Sequence, residues 1–203
     1  MKTFDFNIND DSCKSFYFTS DLHFNHNNII KYCNRPFHDI ETMDDTLINN
    51  WNNKVSDNSI VFILGDFVLG NKKQWRYFLD RLYGQKVLIL GNHDRNDSIP
   101  KDMFIDILDM AQVFVADKEI EGGSKFILSH YPLATWAGIQ NSVCNLHGHI
   151  HSTPDLNGNG FDINIAKNAP WNQYDVGVDR NNFTPLSYDD LKVIFTKRMI
   201  YGI

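Results

Sequence analysis

The chain reads as an α/β domain, and three observations predict it. Short apolar runs at 15–19, 60–64, 86–90, 125–128 and 143–146, rich in Val, Ile, Phe or Leu, each end at a polar residue or a glycine. Runs of that length read as buried strands. Segments of helical periodicity alternate with them, as in α/β folds. The 203 residues are 42% hydrophobic and include 15 Phe, 8 Tyr and 4 Trp. That suffices for a substantial core, organised as one domain over 1–203.

The elements follow in order. The first strand is expected at 15–19. In 41–55, Met43, Leu47, Ile48, Trp51 and Val55 recur at helical spacing, with Asp44 and Asp45 early in the segment, where acidic residues suit a helix start. After the strand at 60–64, Trp75, Phe78, Leu79 and Leu82 stand at i, i+3, i+4 and i+7 and predict a helix over 72–83. The run 86–90 is the next strand. Residues 112–128 read as a hairpin around Gly122-Gly123, and 143–146 comes next as a further strand. Residues 152–173 hold Pro154, Asn157, Gly158, Asn159, Gly160, Asn168 and Pro170. This is a long loop by composition, either a functional cover or a solvated excursion. Ser187 caps a last helix with Asp189 and Asp190 in its first turn, then Leu191, Ile194 and Phe195.

Composition narrows the function. The net charge of −6 offers no general attraction to nucleic acid, which needs clustered Lys and Arg. No stable nucleic-acid partner is therefore expected, although bound cations would still draw a small anion. Cys13, Cys33 and Cys144 are odd in number and lack CxxC spacing, which suits free thiols in a reducing cytosol. The N-terminus has no apolar signal core and no run is long enough for a membrane span. A cytoplasmic protein with no membrane partner is expected; the oligomeric state is left open.

Chemistry-bearing residues stand just past the end of each strand. The run 15–19 leads into Ser20-Asp21-Leu22-His23, and 60–64 into Gly65-Asp66. The run 86–90 leads into Gly91-Asn92-His93-Asp94, and 125–128 into Ser129-His130. The run 143–146 leads into His147-Gly148-His149-Ile150-His151. Ligands of α/β folds bind beyond the carboxyl ends of strands, so residues this far apart in sequence can converge. Glycines at 65, 91 and 148 allow tight turns beside them. The set mixes carboxylate, imidazole and one amide oxygen without thiolate, which suits Mn, Fe, Zn, Ni or Co. Seven ligands exceed one tetrahedral zinc and suit two divalent ions sharing a carboxylate, about 3.5–4 Å apart.

The order Asp-x-His, Gly-Asp, Gly-Asn-His-Asp, His, Gly-His-x-His over residues 21–151 resembles the calcineurin-like metallophosphoesterase superfamily. Asp175–Asp179 (Asp-Val-Gly-Val-Asp) is similar to the next strand of many members. The resemblance implies a two-sheet α/β/β/α sandwich with a dinuclear site at one edge. It implies that Asp21 and His23 bind the first metal, that Asp66 bridges, and that Asn92, His130 and His149 bind the second. His151 returns to the first. His93 is then the general acid or substrate-orienting group, and Asp94 holds the His93 ring. Manganese is the first expectation among the metals. The protein phosphatases and dinucleoside polyphosphate hydrolases of the superfamily carry Gly-Asp-x-Val-Asp-Arg-Gly. Here Gly65-Asp66-Phe67-Val68-Leu69-Gly70 lacks the Asp-Arg pair. The segment from Asp21 through Asn34-Arg35-Pro36-Phe37 to Trp51-Asn52 resembles a small bacterial and phage branch of predicted phosphohydrolases.

The expected reaction is hydrolysis of a phosphodiester or phosphomonoester, in a small nucleotide or cyclic nucleotide, by in-line attack of a hydroxide bridging the ions. Arg35 is a candidate phosphate contact because Arg binds phosphate in bidentate fashion. Arg95 is another, and His26 either contacts substrate or packs beside His23. His147 is expected beside the site or in the core, and His38 on the surface. A nuclease is the alternative enzyme, and a non-catalytic scaffold of the same fold the alternative class.

Overall fold

The computed structural model describes residues 1–95, 97–153 and 169–201. In chain order the elements are β1 (Lys2–Asn7), β2 (Phe16–Thr19), α1 (Asn27–Tyr32), α2 (Ile40–Asn52), β3 (Ile60–Ile63), α3 (Lys72–Leu79), β4 (Gln85–Ile89) and β5 (Asp106–Leu108). Then come β6 (Met110–Ala116), β7 (Ser124–Ser129), β8 (Cys144–His147), β9 (Gln173–Asp175), β10 (Leu186–Ser187) and α4 (Tyr188–Tyr201). One sheet has the order β1-β6-β7-β8-β9 and the other β10-β2-β3-β4-β5. Among the described residues, two five-stranded sheets with four helices form the α/β architecture that the alternation predicts. The long loop expected over 152–173 falls mostly on 154–168, outside the described residues; its last residue opens β9.

Alternation along the strands creates the layers. Phe16, Phe18, Phe62, Leu64, Val87 and Ile89 turn one face of the second sheet onto Val113, Val115, Phe126, Leu128 and Leu146 of the first. The Phe18 and Phe62 rings stack there at 5.3 Å, and α4 adds Leu191 and Phe195 to the same cluster. Val61, Ile63 and Leu88 face the other way, onto Met43, Leu47 and Trp51 of α2 and Trp75, Phe78 and Leu79 of α3. Both faces of β3 and β4 are thus buried, which is why their sequences are continuous apolar runs. Each large side chain buried this way contributes ~1.5–3 kcal/mol. On the outer face of the first sheet, Ile127 meets Trp136 and Val143 from residues 131–143.

Three of the described helix starts carry side-chain caps, of which that at Ser187 was expected. Asp39 accepts the Thr42 amide at the head of α2. Asn71 and Gln74 form a capping box on α3, and Ser187 Oγ accepts the Asp190 amide on α4. The hairpin β6–β7 forms with Val115 opposite Ser124. The three cysteines are free thiols. No helix among the described residues is long and apolar enough to cross a membrane. For the site, direction matters most. β2, β3 and β4 run parallel, as do β7 and β8, so the segments leaving each set emerge at a common edge.

Candidate metal centre

At that edge the chain turns in conformations that L-residues rarely adopt. Asp21, His23, Asp66, His149 and His151 have φ of 57°, 52°, 56°, 72° and 46°. Each such residue costs on the order of 1–3 kcal/mol, and residues of this kind cluster at functional sites. Five of the seven expected ligands are held this way. The two sheets also approach closely. A Cβ at Gly148 would collide with Ser20 Oγ and Asp21 Oδ2, and one at Gly65 with His130 Nδ1. Only glycine lets these segments meet.

The carboxylates divide their oxygens between anchoring and the site. Asp66 Oδ1 accepts the His93 amide at 2.9 Å. Its Oδ2 faces His23 Nε2 at 3.5 Å, His130 Nε2 at 3.6 Å and His93 Nε2 at 4.0 Å. Asp21 Oδ2 accepts the His149 amide at 2.9 Å, and its Oδ1 lies 3.8 Å from His151 Nε2. Two triads, Asp21-His23-His151 and Asp21-Asp66-His130, bring their ligand atoms within 4.8 Å of one another. The His149 ring lies 5.0 Å from that of His130.

These groups fit divalent cations. His130 Nδ1 lies 2.8 Å from the Leu64 carbonyl, which can only accept, so Nδ1 carries the proton. His130 Nε2 faces Asn92 Oδ1, 2.9 Å away, and a cation between them would take both atoms as ligands. Asp21 Oδ1 and His23 Nε2 are buried without a hydrogen-bond partner among the described residues. Such orphans are rare in native folds and call for an explanation. Burial pushes the Asp21 carboxyl above its ordinary range; it does the same to Asp66, with the negative charge of Asp21 adding to the effect. Burial also holds His23 well below its usual pKa, so its ring is neutral. Burial opposes protonation of His151, but Asp21 and the hydrogen bond to Asp179 outweigh it and raise its pKa to about 11. A metal ion would take the place of that proton. The donors are oxygen and nitrogen, as transition ions such as Mn or Zn accept.

Other expectations meet different ends. His93 is half exposed at the mouth, its ring 5.4 Å from that of His23. Asp94 does not hold that ring. Its Oδ2 accepts the amides of Asp66 and Gly91, both at 2.9 Å, and Oδ1 accepts that of Phe67 at 3.1 Å. It therefore fixes the turn that carries Asp66, and the expected Asp94–His93 contact is corrected. Arg35 is also corrected as a phosphate contact. Its side chain is 0% exposed and bound to Asp179 and to backbone carbonyls. His26 Nδ1 lies 3.4 Å from His23 Nδ1, and its half-buried ring faces Tyr32 and His93. Arg95 is exposed beside the 91–94 turn. His147 is buried and donates from Nδ1 to the Gly148 carbonyl, and His38 is on the surface. Sequence reasoning missed Tyr131, exposed yet with its ring 4.5 Å from that of His149 and 4.9 Å from that of His130. Only its position next to His130 could have signalled it. Asp179 was legible merely as the end of Asp-Val-Gly-Val-Asp.

Comparison with known proteins agrees with this geometry. A family model described as calcineurin-like phosphoesterase matches residues 14–192. An uncharacterized protein of Methanocaldococcus jannaschii is 38% identical over 181 residues, covering 88% of this chain and 89% of that relative. The Gene 66 protein of Mycobacterium phage L5 is 30% identical over 160 residues, covering 67% of this chain and 77% of the phage protein. Among solved structures, a protein of unknown function from Aquifex aeolicus superposes with a TM-score of 0.65 at 23% identity, covering 89% of this chain and 99% of that one. That likeness speaks for the fold.

Proposed function

Because the chain belongs to the calcineurin-like phosphoesterase family, we propose that it hydrolyses a phosphodiester or phosphomonoester in a small nucleotide or cyclic nucleotide. In this reading Asp21, His23, Asp66 and His151 hold one divalent ion, and Asp66, Asn92, His130 and His149 hold the second. The observation that carries it is Asp66, whose Oδ1 is fixed by an amide while Oδ2 faces imidazole nitrogens from both groups of ligands. Two divalent ions in such a site make a nucleophile available from water near neutral pH and neutralise phosphoryl oxygens. Manganese suits the donor set.

The chain's own groups do the rest. His93 stands at the open side of the site, its Nε2 4.0 Å from Asp66 Oδ2. It donates a proton to the leaving oxygen, a service worth ~10²–10⁴-fold in rate. Asp94 keeps Asp66 in register through the turn amides. In this reading His26, whose ring faces that of His93, and the exposed Arg95 beside the 91–94 turn meet the part of the substrate beyond the scissile phosphate. A cytoplasmic setting fits the free thiols. The test is a panel of nucleotides, cyclic nucleotides and cyclic dinucleotides assayed with Mn, Ni and Zn. Turnover of at least one phosphoester, abolished by chelation and restored by metal, is the expected result. A fully metal-loaded chain inert toward the whole panel would defeat the proposal and favour a scaffold.

A further inference from the structure

Arg35 holds more partners than a surface or core arginine needs. Its guanidinium has five N–H donors. Nε reaches Asp179 Oδ1 at 2.8 Å. Nη2 reaches Asp179 Oδ2 at 2.9 Å and the Asp21 carbonyl at 2.7 Å. Nη1 reaches the Leu22 carbonyl at 3.0 Å and Met43 Sδ at 3.5 Å. Five donors meet five acceptors, which leaves none for a ligand. Asp179 Oδ2 also accepts His151 Nδ1 at 2.8 Å. One buried cation thus grips the backbone of Asp21 directly and the ring of His151 through one carboxylate. Asp21 lies beyond a strand of one sheet and His151 beyond a strand of the other. The turn carrying Arg35 is itself fixed, with its amide bonded to the Ile30 carbonyl at 2.8 Å.

A buried ion pair is a poor device for stability alone, because desolvating both charges consumes most of their attraction. Its placement between two converging side chains has a different logic. We infer that Arg35 and Asp179 are a positioning pair that assembles the first metal position, that of Asp21, His23 and His151, and bears on the second only through the Asp21 carboxylate that accepts the His149 amide. This rests on the two-ion reading of the site. On the second side, the described partner of the His130 Nδ1 proton is the Leu64 backbone carbonyl, which neither residue of the pair touches. Outer-shell partners of this kind change metal affinity by about 10–100-fold when mutated. Lysine has no planar fork to replace the bidentate contact.

The experiment measures bound metal. Wild type, Arg35→Lys and Asp179→Asn are stripped, dialysed against a fixed free Mn²⁺ concentration that just saturates wild type, and analysed for metal per chain. The wild type is expected to hold two ions. Both variants are expected to hold one, with about 10–100-fold weaker affinity for the lost ion and an electron-spin signal changed from coupled to isolated Mn²⁺. Two ions retained at unchanged affinity in folded variants would overturn the pairing role, and so would loss of both ions together. A wild type that binds no more than one ion would instead sink the two-ion reading. A measurement on wild type needs no variant to fold. The Arg35 Nε–H should exchange slowly with solvent in the zinc-loaded chain, and rapid exchange would overturn the inference.

Discussion

At the scale of single residues, the proposed reaction separates groups that would do chemistry from groups that hold others in place. His93 and Asp94 are neighbours in sequence and differ in kind. The His93 ring is half exposed at the mouth, whereas Asp94 gathers three backbone amides around Asp66 and Gly91. His93→Ala is therefore expected to keep both metal ions and lose ~10²–10⁴-fold in kcat. Asp94→Ala is expected to lose metal affinity first, because the carboxylate proposed to be shared by both ions is no longer held. Metal analysis beside steady-state kinetics distinguishes them. An Asp94→Ala protein with full metal content and only a kcat defect would show that Asp94 acts through the His93 ring after all. The residue types were readable in the sequence, but their partners were not. Arg35 and Asp179 are separated by 144 positions, and an arginine just past a short helix looks the same whether it faces a phosphate or a buried carboxylate.

Between elements, α2 steadies the loop beyond His23. Asp44 accepts the Asn25 amide at 3.2 and 3.3 Å, and the Asn25 side chain donates to the Leu69 carbonyl. Burial raises the Asp44 pKa from 3.8 to about 7; Asp45 adds to this, and the Asn25 amide, Arg81 and Arg35 oppose it. The folded chain thus keeps a proton that the unfolded chain has released. The stability this contributes is fully present below the unfolded pKa and is lost as pH rises through about 7. Asp44→Asn lacks this dependence. The difference in Tm, wild type minus variant, should fall steadily from about pH 4 to about pH 7, the two pKa values. Parallel Tm curves over that range would disprove the coupling. The elements that sequence patterns revealed are those buried along a face: β2, β3, β4, β6, β7 and β8 among strands, and α2, α3 and α4 among helices. Patterns missed β1, where most side chains of Lys2–Asn7 remain exposed or half-buried. They missed β5, with three residues, and α1, with Ile29 as its buried side chain. Periodicity reports burial, and edge elements bury too little to display it.

For the whole molecule, net charge bears on which substrates are expected. A net charge of −6 gives a duplex or long strand little to bind, and any phosphate contacts would make affinity fall steeply with salt, with a log–log slope of about −0.9 per contact. Turnover of bis-p-nitrophenyl phosphate should be nearly flat between about 50 and 200 mM salt, with no cleavage of oligonucleotides. Steep salt dependence together with cleaved DNA or RNA would establish the nuclease instead. The convergence of the candidate ligands was legible because fold and chemistry coincide, each candidate standing just beyond a strand end. What the sequence could not supply is the strained backbone that aims them: Asp and His adopt positive φ more readily than most residues, but most of those in the described chain do not, so residue type alone does not single out Asp21, His23 and Asp66. Everything converges on Asp66, whose Oδ2 faces His23, His130 and His93. The most direct measurement is metal-dependent turnover of bis-p-nitrophenyl phosphate by Asp66→Asn beside wild type. Loss of nearly all activity, deeper than in His93→Ala, is the predicted result. Near-full, metal-dependent activity in Asp66→Asn would contradict the shared-carboxylate site.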